Sequence, residues 1–263
     1  MRYRRRVSAT PDPNRLGGLA WTRRTQGRLT RAERRRLLGA LAAAQMENAA
    51  GRLRLALGRR NPRAGEVDVT SFTPPDSRLA REAENACDEQ PSSIAAHSVR
   101  TWMYGLALAA VDRVQLDHEL FYCAALVHDY GIAPPVAGRD FTLGGADRAL
   151  ACAAAAGLAN GDADQMADAI CVHTTPGVTE VRDGALGCYV QWGAMVDGAG
   201  LRLWDVSGGN AEAVLREHPR GAGFKGELAA LIRAEARAVP GGRFAFLARY
   251  GLPLATRLAP FED

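Results

Sequence analysis

Residues 119–131, which read ELFYCAALVHDYG, indicate the fold most directly. The middle of this segment is apolar on every side of a helix, which predicts a helix buried inside the protein. The apolar run ends in two ionisable residues, His128 and Asp129, before Gly131 terminates the helix. Polar side chains at the end of a buried helix are the first indication of a functional site.

Helical signals continue on both sides of this segment. Thr30 and Glu33 form a capping-box pattern that opens a helix over about residues 30–57. No segment of strand length alternates apolar and polar residues, so we expect an all-α fold, a helical bundle. The further predicted helices cover approximately residues 76–87, 92–111, 117–128, 146–156, 162–175, 185–197 and 225–238.

The positive charge is concentrated at the beginning of the chain. Residues 1–63 contain seventeen arginines and three acids, a local charge of +14, whereas the rest holds 16 basic and 26 acidic residues. Residues 1 to about 28 show no sustained periodicity, which predicts disordered or extended structure. We therefore divide the chain into an arginine-rich N-terminal extension, 1–65, partly disordered and with one helix at about 30–57, and a helical domain, 66–263.

Two interpretations of the arginine-rich extension remain open. It could bind nucleic acid by neutralising phosphates, or it could be a mobile tail and a solvated helix that docks on the acidic body of its own or a partner subunit. We favour the second because no recognised nucleic-acid motif accompanies the charge. A small-molecule substrate and a homo-oligomer are further expected partners, and a membrane is not.

The location predicted from the sequence is the cytoplasm. The basic opening residues 1–6 are followed by polar, proline-rich sequence rather than by the apolar core of a signal peptide. The five cysteines include no C-x-x-C pair, and four of them lie in apolar helical runs. These features are typical of reduced, buried thiols.

Several polar residues lie on faces that the periodicity turns inward. Burying a carboxylate or an imidazole without a partner costs several kcal/mol, so these groups must meet one another or a cation. Imidazole nitrogen and carboxylate oxygen are the ligands of borderline metals such as Zn, Fe, Mn and Ni. The inward residues are His97, His128, Asp129, His173 and Asp197.

The order of these residues resembles the HD-domain superfamily of helical metal-dependent hydrolases, whose motif reads H…HD…D. The flanking sequence is similar to the cyanamide hydratase branch of that superfamily, over about residues 66–251. The segments that carry the similarity are PDSRLAREA at 75–83, AHSVRTWMYG at 96–105, ELFYCAALVHDYG at 119–131, ICVHTTPG at 170–177 and GFK at 223–225.

This resemblance implies one divalent metal ion, with zinc or iron expected first and manganese or nickel also accepted by such ligands. The positions that match the family's ligands are His97, His128, Asp129 and Asp197. In the family the metal activates a water that adds to a small polarised carbon centre, as in the conversion of cyanamide to urea. His173 matches a histidine that lies either behind the metal ligands or facing the substrate. The implied function is that of a metal-dependent hydrolase or hydro-lyase.

Chemical roles follow for the remaining candidates. Asp129 could take or relay the proton of the water, and His173 could donate a proton to the developing nitrogen, which makes both candidate catalytic residues. Arg100 either steers a polar substrate or pairs with a carboxylate. Thr174 and Lys225 are further candidates for substrate binding.

Two alternative functions share the same scaffold. A phosphohydrolase acting on a nucleotide or phosphate ester would use the same ligand set. A non-catalytic regulatory module would use the basic extension to bind nucleic acid. The family's dinuclear oxygenases need two further histidines between the HD pair and the last aspartate; here that interval contains only His173, so we expect a mononuclear site.

Overall fold

The structure is a computed structural model that describes residues 11–12 and 14–262. This described part is all-α, as predicted, and contains thirteen α-helices and no strand; its one β-type pairing is a bridge between Arg28 and Gly242. The helices are α1 (Leu19–Thr25), α2 (Arg31–Ala56), α3 (Arg78–Asp88), α4 (Ser92–Asp112), α5 (His118–Val127), α6 (Thr142–Ala156), α7 (Asn160–Val172), α8 (Glu180–Asp183), α9 (Ala185–Ala199), α10 (Gly208–Glu217), α11 (Phe224–Ala238), α12 (Arg243–Arg249) and α13 (Leu252–Arg257).

Helix α5 lies at the centre of the bundle. Residues 120–127 are buried without exception, and α3, α4, α6, α7 and α9 pack around them. Asp117 caps the helix by accepting a hydrogen bond from the backbone N–H of Leu120 at 3.0 Å. The apolar run of the sequence is therefore the core, and it delivers His128 and Asp129 to the interior.

Helices α4 and α9 pack antiparallel, and the contacts between them recur every four residues along each helix. Gly105 lies against Tyr189, and Thr101 lies against Gly193. A Cβ on Gly193 would sit 2.2 Å from the carbonyl oxygen of Thr101. Glycine is thus required for the close approach of the two backbones. One further step along the same register brings His97 to Asp197.

The N-terminal extension differs from its prediction. The prediction of disordered or extended structure is wrong for residues 19–25, which form α1. For residues 1–10 and 13 the same prediction lies outside the described residues. Trp21, Leu29 and Leu37 pack with Phe246 and Leu247 of α12. The apolar residues of this segment pack against α12, which is distant in the sequence, so the segment shows little helical periodicity of its own. The capping box at the start of α2 is confirmed, and α2 agrees closely with its predicted span.

Arg243, at the start of α12, joins this extension to the bundle. Its buried guanidinium donates to the carbonyl oxygen of Gly17, to the hydroxyl of Thr22 and to the carboxylate of Asp140, 3.1 Å away. Nearby, Glu235 accepts the backbone N–H of Phe141, and burial raises the pKa of Glu235 to about 7. Asp140 adds to that rise, whereas the N–H of Phe141 and the charge of Arg243 oppose it.

Each of the five cysteines is buried and free, as predicted. Burial raises the pKa of the Cys87 and Cys171 thiols to about 12, which keeps both protonated at neutral pH. No helix in the described residues is both long and apolar enough to cross a bilayer.

The close contact of α4 and α9 predicts the effect of a single methyl group. Gly193→Ala should lower the free energy of unfolding by about 1–3 kcal/mol, because the new Cβ collides with backbone atoms that cannot move aside. Urea denaturation checks this. Gly226→Ala, in α11 with no atom within 4 Å of the new Cβ, is the control and should be neutral or stabilising. Equal effects of the two changes would contradict the close packing.

The raised pKa of Glu235 predicts a pH-dependent stability. The folded protein holds this proton more tightly than the unfolded chain does, so its contribution to the unfolding free energy falls as pH rises from about 4.5 to about 7. The unfolding free energy of Glu235→Gln minus that of the wild type should therefore be larger at pH 8 than at pH 5. Urea denaturation at both pH values measures this, with the exposed Glu212→Gln as control. A pH-independent difference between Glu235→Gln and the wild type would contradict it.

Candidate metal centre

The site forms where the end of α5 meets the beginning of α4. His97, His128 and Asp129 are buried, and their ligand atoms lie within 4.8 Å of one another, close enough to hold a metal ion. Nε2 of His97 is 3.7 Å from Oδ2 of Asp129, and Nε2 of His128 is 3.5 Å from Oδ1. His173, directly after α7, brings its own Nε2 to 3.6 Å from Oδ1. Three imidazoles therefore surround one carboxylate.

Hydrogen bonds behind the rings determine which nitrogen faces the centre. Nδ1 of His128 donates to the carbonyl oxygen of Ala125 at 2.7 Å, and Nδ1 of His173 donates to that of Ile170 at 2.6 Å. Nδ1 of His97 lies 2.6 Å from the carboxylate of Asp197. A neutral imidazole carries one proton, so donation from Nδ1 leaves the lone pair on Nε2. In all three rings the nitrogen that faces Asp129 is therefore Nε2.

Burial favours the neutral form of His128. It lowers the pKa of His128 to about 4, and the opposing attraction of Asp129 is smaller. Burial alone would raise the pKa of Asp129, but the surrounding imidazoles of His128, His173 and His97 together hold that pKa below its usual range. The centre therefore combines an ionised carboxylate with at least one neutral imidazole at physiological pH.

This arrangement fits a metal ion. Nε2 of His128 is buried and has no hydrogen-bond partner among the described residues, although a buried acceptor normally has one. Two ligand atoms each about 2.1 Å from one ion, at a tetrahedral angle, lie roughly 3.4 Å apart. The distance from Nε2 of His128 to Oδ1 of Asp129, 3.5 Å, and that from Nε2 of His97 to Oδ2, 3.7 Å, are each close to that value and involve one carboxylate oxygen each. A divalent cation bound between the Nε2 atoms and the Asp129 carboxylate would interact favourably with all of them.

Asp197, the fourth predicted ligand, lies behind His97 and outside the three-residue group. Its Oδ1 accepts from Nε of Arg100 at 2.9 Å and from Nη1 of Arg220 at 2.8 Å, and its Oδ2 accepts from Nη2 of Arg100 at 2.9 Å. Burial opposes ionisation, but the hydrogen bond from His97 and the charge of Arg100 hold the pKa of Asp197 below its usual range. Asp197 thus acts as a charged acceptor that orients His97, and its role as a ligand stays a prediction.

A small cavity of about 40 Å³ opens on the centre. Since one water needs roughly 10–15 Å³ of such space, the cavity holds about three water-sized groups. Its lining joins the polar residues to an apolar wall from α9 and α11–α13. The lining residues are His97, His128, Asp129, Ile132, His173, Thr174, Ala194, Met195, Gly198, Leu228, Ile232, Phe244, Leu252 and Thr256.

The three predicted substrate-binding residues lie in different places. Thr174 lines the cavity, is 2% exposed, and its hydroxyl has no hydrogen-bond partner among the described residues. Arg100 does not line the cavity: it pairs with Asp197, the second of the two interpretations offered for it. Lys225 does not line it either, and its ammonium donates to the carbonyl oxygen of Phe261.

Sequence reasoning missed two parts of the site. Arg220 lies in the loop after α10, and no periodicity or motif indicates that it reaches Asp197. The apolar wall comes partly from α12 and α13, short helices that we did not predict. An apolar segment of six or seven residues is too short for a helical period to be recognised. These residues could be found only from the tertiary structure.

The charge network around Asp197 predicts a large loss of stability on neutralisation. Asp197→Asn leaves the buried guanidinium groups of Arg100 and Arg220 without their shared carboxylate, which should cost roughly 3–5 kcal/mol of unfolding free energy. Urea denaturation of metal-free protein measures this. The exposed Asp164→Asn is the matched control and should change little. An unchanged stability of Asp197→Asn would show that this carboxylate does not neutralise the two arginines.

Comparison with known proteins adds no family assignment. No protein-family model matches the chain, and neither does any curated protein. The similarity to the HD-domain superfamily therefore rests on the sequence segments quoted above, and the metal centre rests on its geometry.

Proposed function

We propose that this chain is a mononuclear, metal-dependent enzyme of the HD-domain type, which adds activated water to a small uncharged molecule in the manner of a cyanamide hydratase. The observation that carries the proposal is the set of three imidazole Nε2 atoms directed at the Asp129 carboxylate beside a small cavity. So many buried acceptors facing one another are unfavourable without a cation. A scaffold with no chemical role has no need of them.

The residues divide into two groups by position. His97, His128 and Asp129 would hold the ion, and a divalent ion bound there lowers the pKa of water enough to supply a nucleophile at neutral pH. Nδ1 of His173 is occupied by the carbonyl of Ile170, so its Nε2 is the atom that accepts a proton and passes it on. The unpaired hydroxyl of Thr174 supplies a donor to a polar end of the substrate.

The cavity favours a substrate of a few heavy atoms. Its volume is about 40 Å³, and its far wall is apolar, with Ile232, Leu228 and Phe244. Such a wall excludes bulk water and leaves few polar groups to orient the ligand. A small nitrile or amide fits this description, since it is compact and carries no charge.

A phosphate ester suits the site less well. Enzymes that bind phosphates use Arg, Lys or helix N-termini to meet the negative charge. No Arg or Lys is among the described residues that line the cavity, and Arg100 is bound to Asp197. A nucleotide also exceeds the space available. The hydratase-like reaction is therefore the better supported of the two.

Metal content tests the ligand assignment. Protein purified without added metal should carry about one ion per chain. His128→Gln and Asp129→Ala should lose it, because each removes a ligand from a group of three. His173→Gln should keep the ion and lose at least tenfold in turnover. Met195→Leu, a conservative change in the cavity wall, is the control and should keep both.

A substrate screen of the metal-loaded chain tests the reaction. Cyanamide, small nitriles and amides are assayed by release of urea or ammonia, and nucleotides and simple phosphate esters by release of phosphate. Turnover in the first group supports the proposal. Release of phosphate from the second group would contradict the proposal and indicate a phosphohydrolase instead. A chain that binds no metal and turns over neither group would be a regulatory module.

A further inference from the structure

Helix α2 carries apolar residues on the side that faces solvent. Leu38 is 38% exposed, Met46 is 69% exposed, and Leu53 and Leu57 are each 61% exposed. At 100° per residue these four positions fall within one third of the helix circumference, together with Ala42 and Ala49. Among the described residues no charged side chain interrupts this stripe between 38 and 57. We call these six residues the α2 stripe.

The body of the protein does not account for the α2 stripe. The opposite face of α2 is the one that packs inward, where Leu37, Asn48 and Gly51 are buried. A Cβ on Gly51 would lie 2.1 Å from the indole of Trp204, which shows how closely that face is seated. A helix that is apolar on both sides is typically covered on both sides.

Other exposed apolar residues adjoin the stripe. Nη2 of Arg52 donates to the carbonyl oxygen of Ala199 at 3.1 Å, and Nη1 reaches that of Leu258, which places the end of α13 beside α2. Leu254 is 60% exposed and Leu258 is 58% exposed. Six of the nine large hydrophobic residues exposed in the described part of the chain thus lie in α2 and α13 or at the residue that directly follows each helix. Contiguous apolar patches of this kind mark interaction surfaces.

We propose that the α2 stripe binds the α2 stripe of a second copy of this chain, with the two helices antiparallel. Pairing about a two-fold axis between residues 47 and 48 sets Ala42 opposite Leu53, Met46 opposite Ala49 and Leu38 opposite Leu57. In the two inner pairs a small residue faces a large one, so that ridges of one helix fill grooves of the other, and the outer pair sets two leucines together. A parallel pair would set Met46 against Met46 and leave gaps at the alanines.

The size and charge of this contact indicate a weak dimer. A stripe of about 20 residues is roughly 30 Å long, and the area that it buries is below the ~1,200 Å² of a standard interface. The antiparallel pairing also brings the arginines at 31–36 near those at 59–63 of the second copy. Salt screens that repulsion, so the dimer should strengthen as salt is added. Binding to an acidic protein or an anionic membrane would weaken instead.

Sedimentation of the full chain tests the dimer. We expect a weak monomer–dimer equilibrium, with a dissociation constant on the order of micromolar or above, because the contact is smaller than a standard interface. Association should tighten at high salt. Ala42→Glu and Ala49→Glu should abolish it, because each buries a charge at the contact. Ala154→Glu, at an exposed position of α6, is the matched control and should dimerise as the wild type does.

Single cysteines test the orientation. The native thiols are buried, so an introduced one reacts alone. Met46→Cys should cross-link to its own copy, because position 46 lies near the two-fold axis, whereas Leu57→Cys should not. Equal cross-linking at both positions would exclude the antiparallel arrangement. A chain that stays monomeric up to the highest concentration in both salts would overturn the proposal, and so would a monomer that instead binds vesicles of anionic lipid.

Discussion

The buried carboxylate of Asp197 is the interaction on which the site depends. It neutralises Arg100 and Arg220, and it receives the Nδ1 proton of His97 at 2.6 Å. Without that charge the buried guanidinium of Arg100 would lose its carboxylate, Arg220 would lose one of its partners, and His97 would lose the partner that selects its tautomer. The orientation of the Nε2 lone pair at the centre is therefore a consequence of electrostatics several ångströms away from it.

The packing of α4 against α9 makes this interaction possible. Gly105 and Gly193 allow the two backbones to approach, and the same four-residue step carries the register to His97 and Asp197. Of the three-residue group, His97 lies on α4, whereas His128 and Asp129 directly follow the buried helix α5. The packing of α4 against α9 therefore positions His97 and its partner Asp197, and the end of α5 positions the other two residues. Side chains in or directly beside packed helices keep their geometry, which suits a group that could hold a metal ion.

The N-terminal extension has two structural roles. Its first described part covers α12, the helix whose Phe244 forms part of the cavity wall, so the extension supports the site from behind. Its long helix α2 has one face on the body and one face in solvent. The arginines lie mainly at the two ends of α2, and the apolar stripe lies between them. The positive charge of the extension therefore leaves the middle of α2 apolar, where the α2 stripe could contact another protein.

Local patterns predicted the all-α class, the buried helix that ends in His128 and Asp129, the capping box of α2 and the inward faces of His97 and His173, because each depends on periodicity or on adjacent residues. The packing of distant helices, by contrast, sets Asp197 behind the three-residue group, brings Arg220 to it and lets short helices line the cavity. The two Asp197 contacts join residues 23 and 100 positions apart, and the cavity joins residues still further apart in the chain. No local pattern records such distances, since they follow from how whole helices pack.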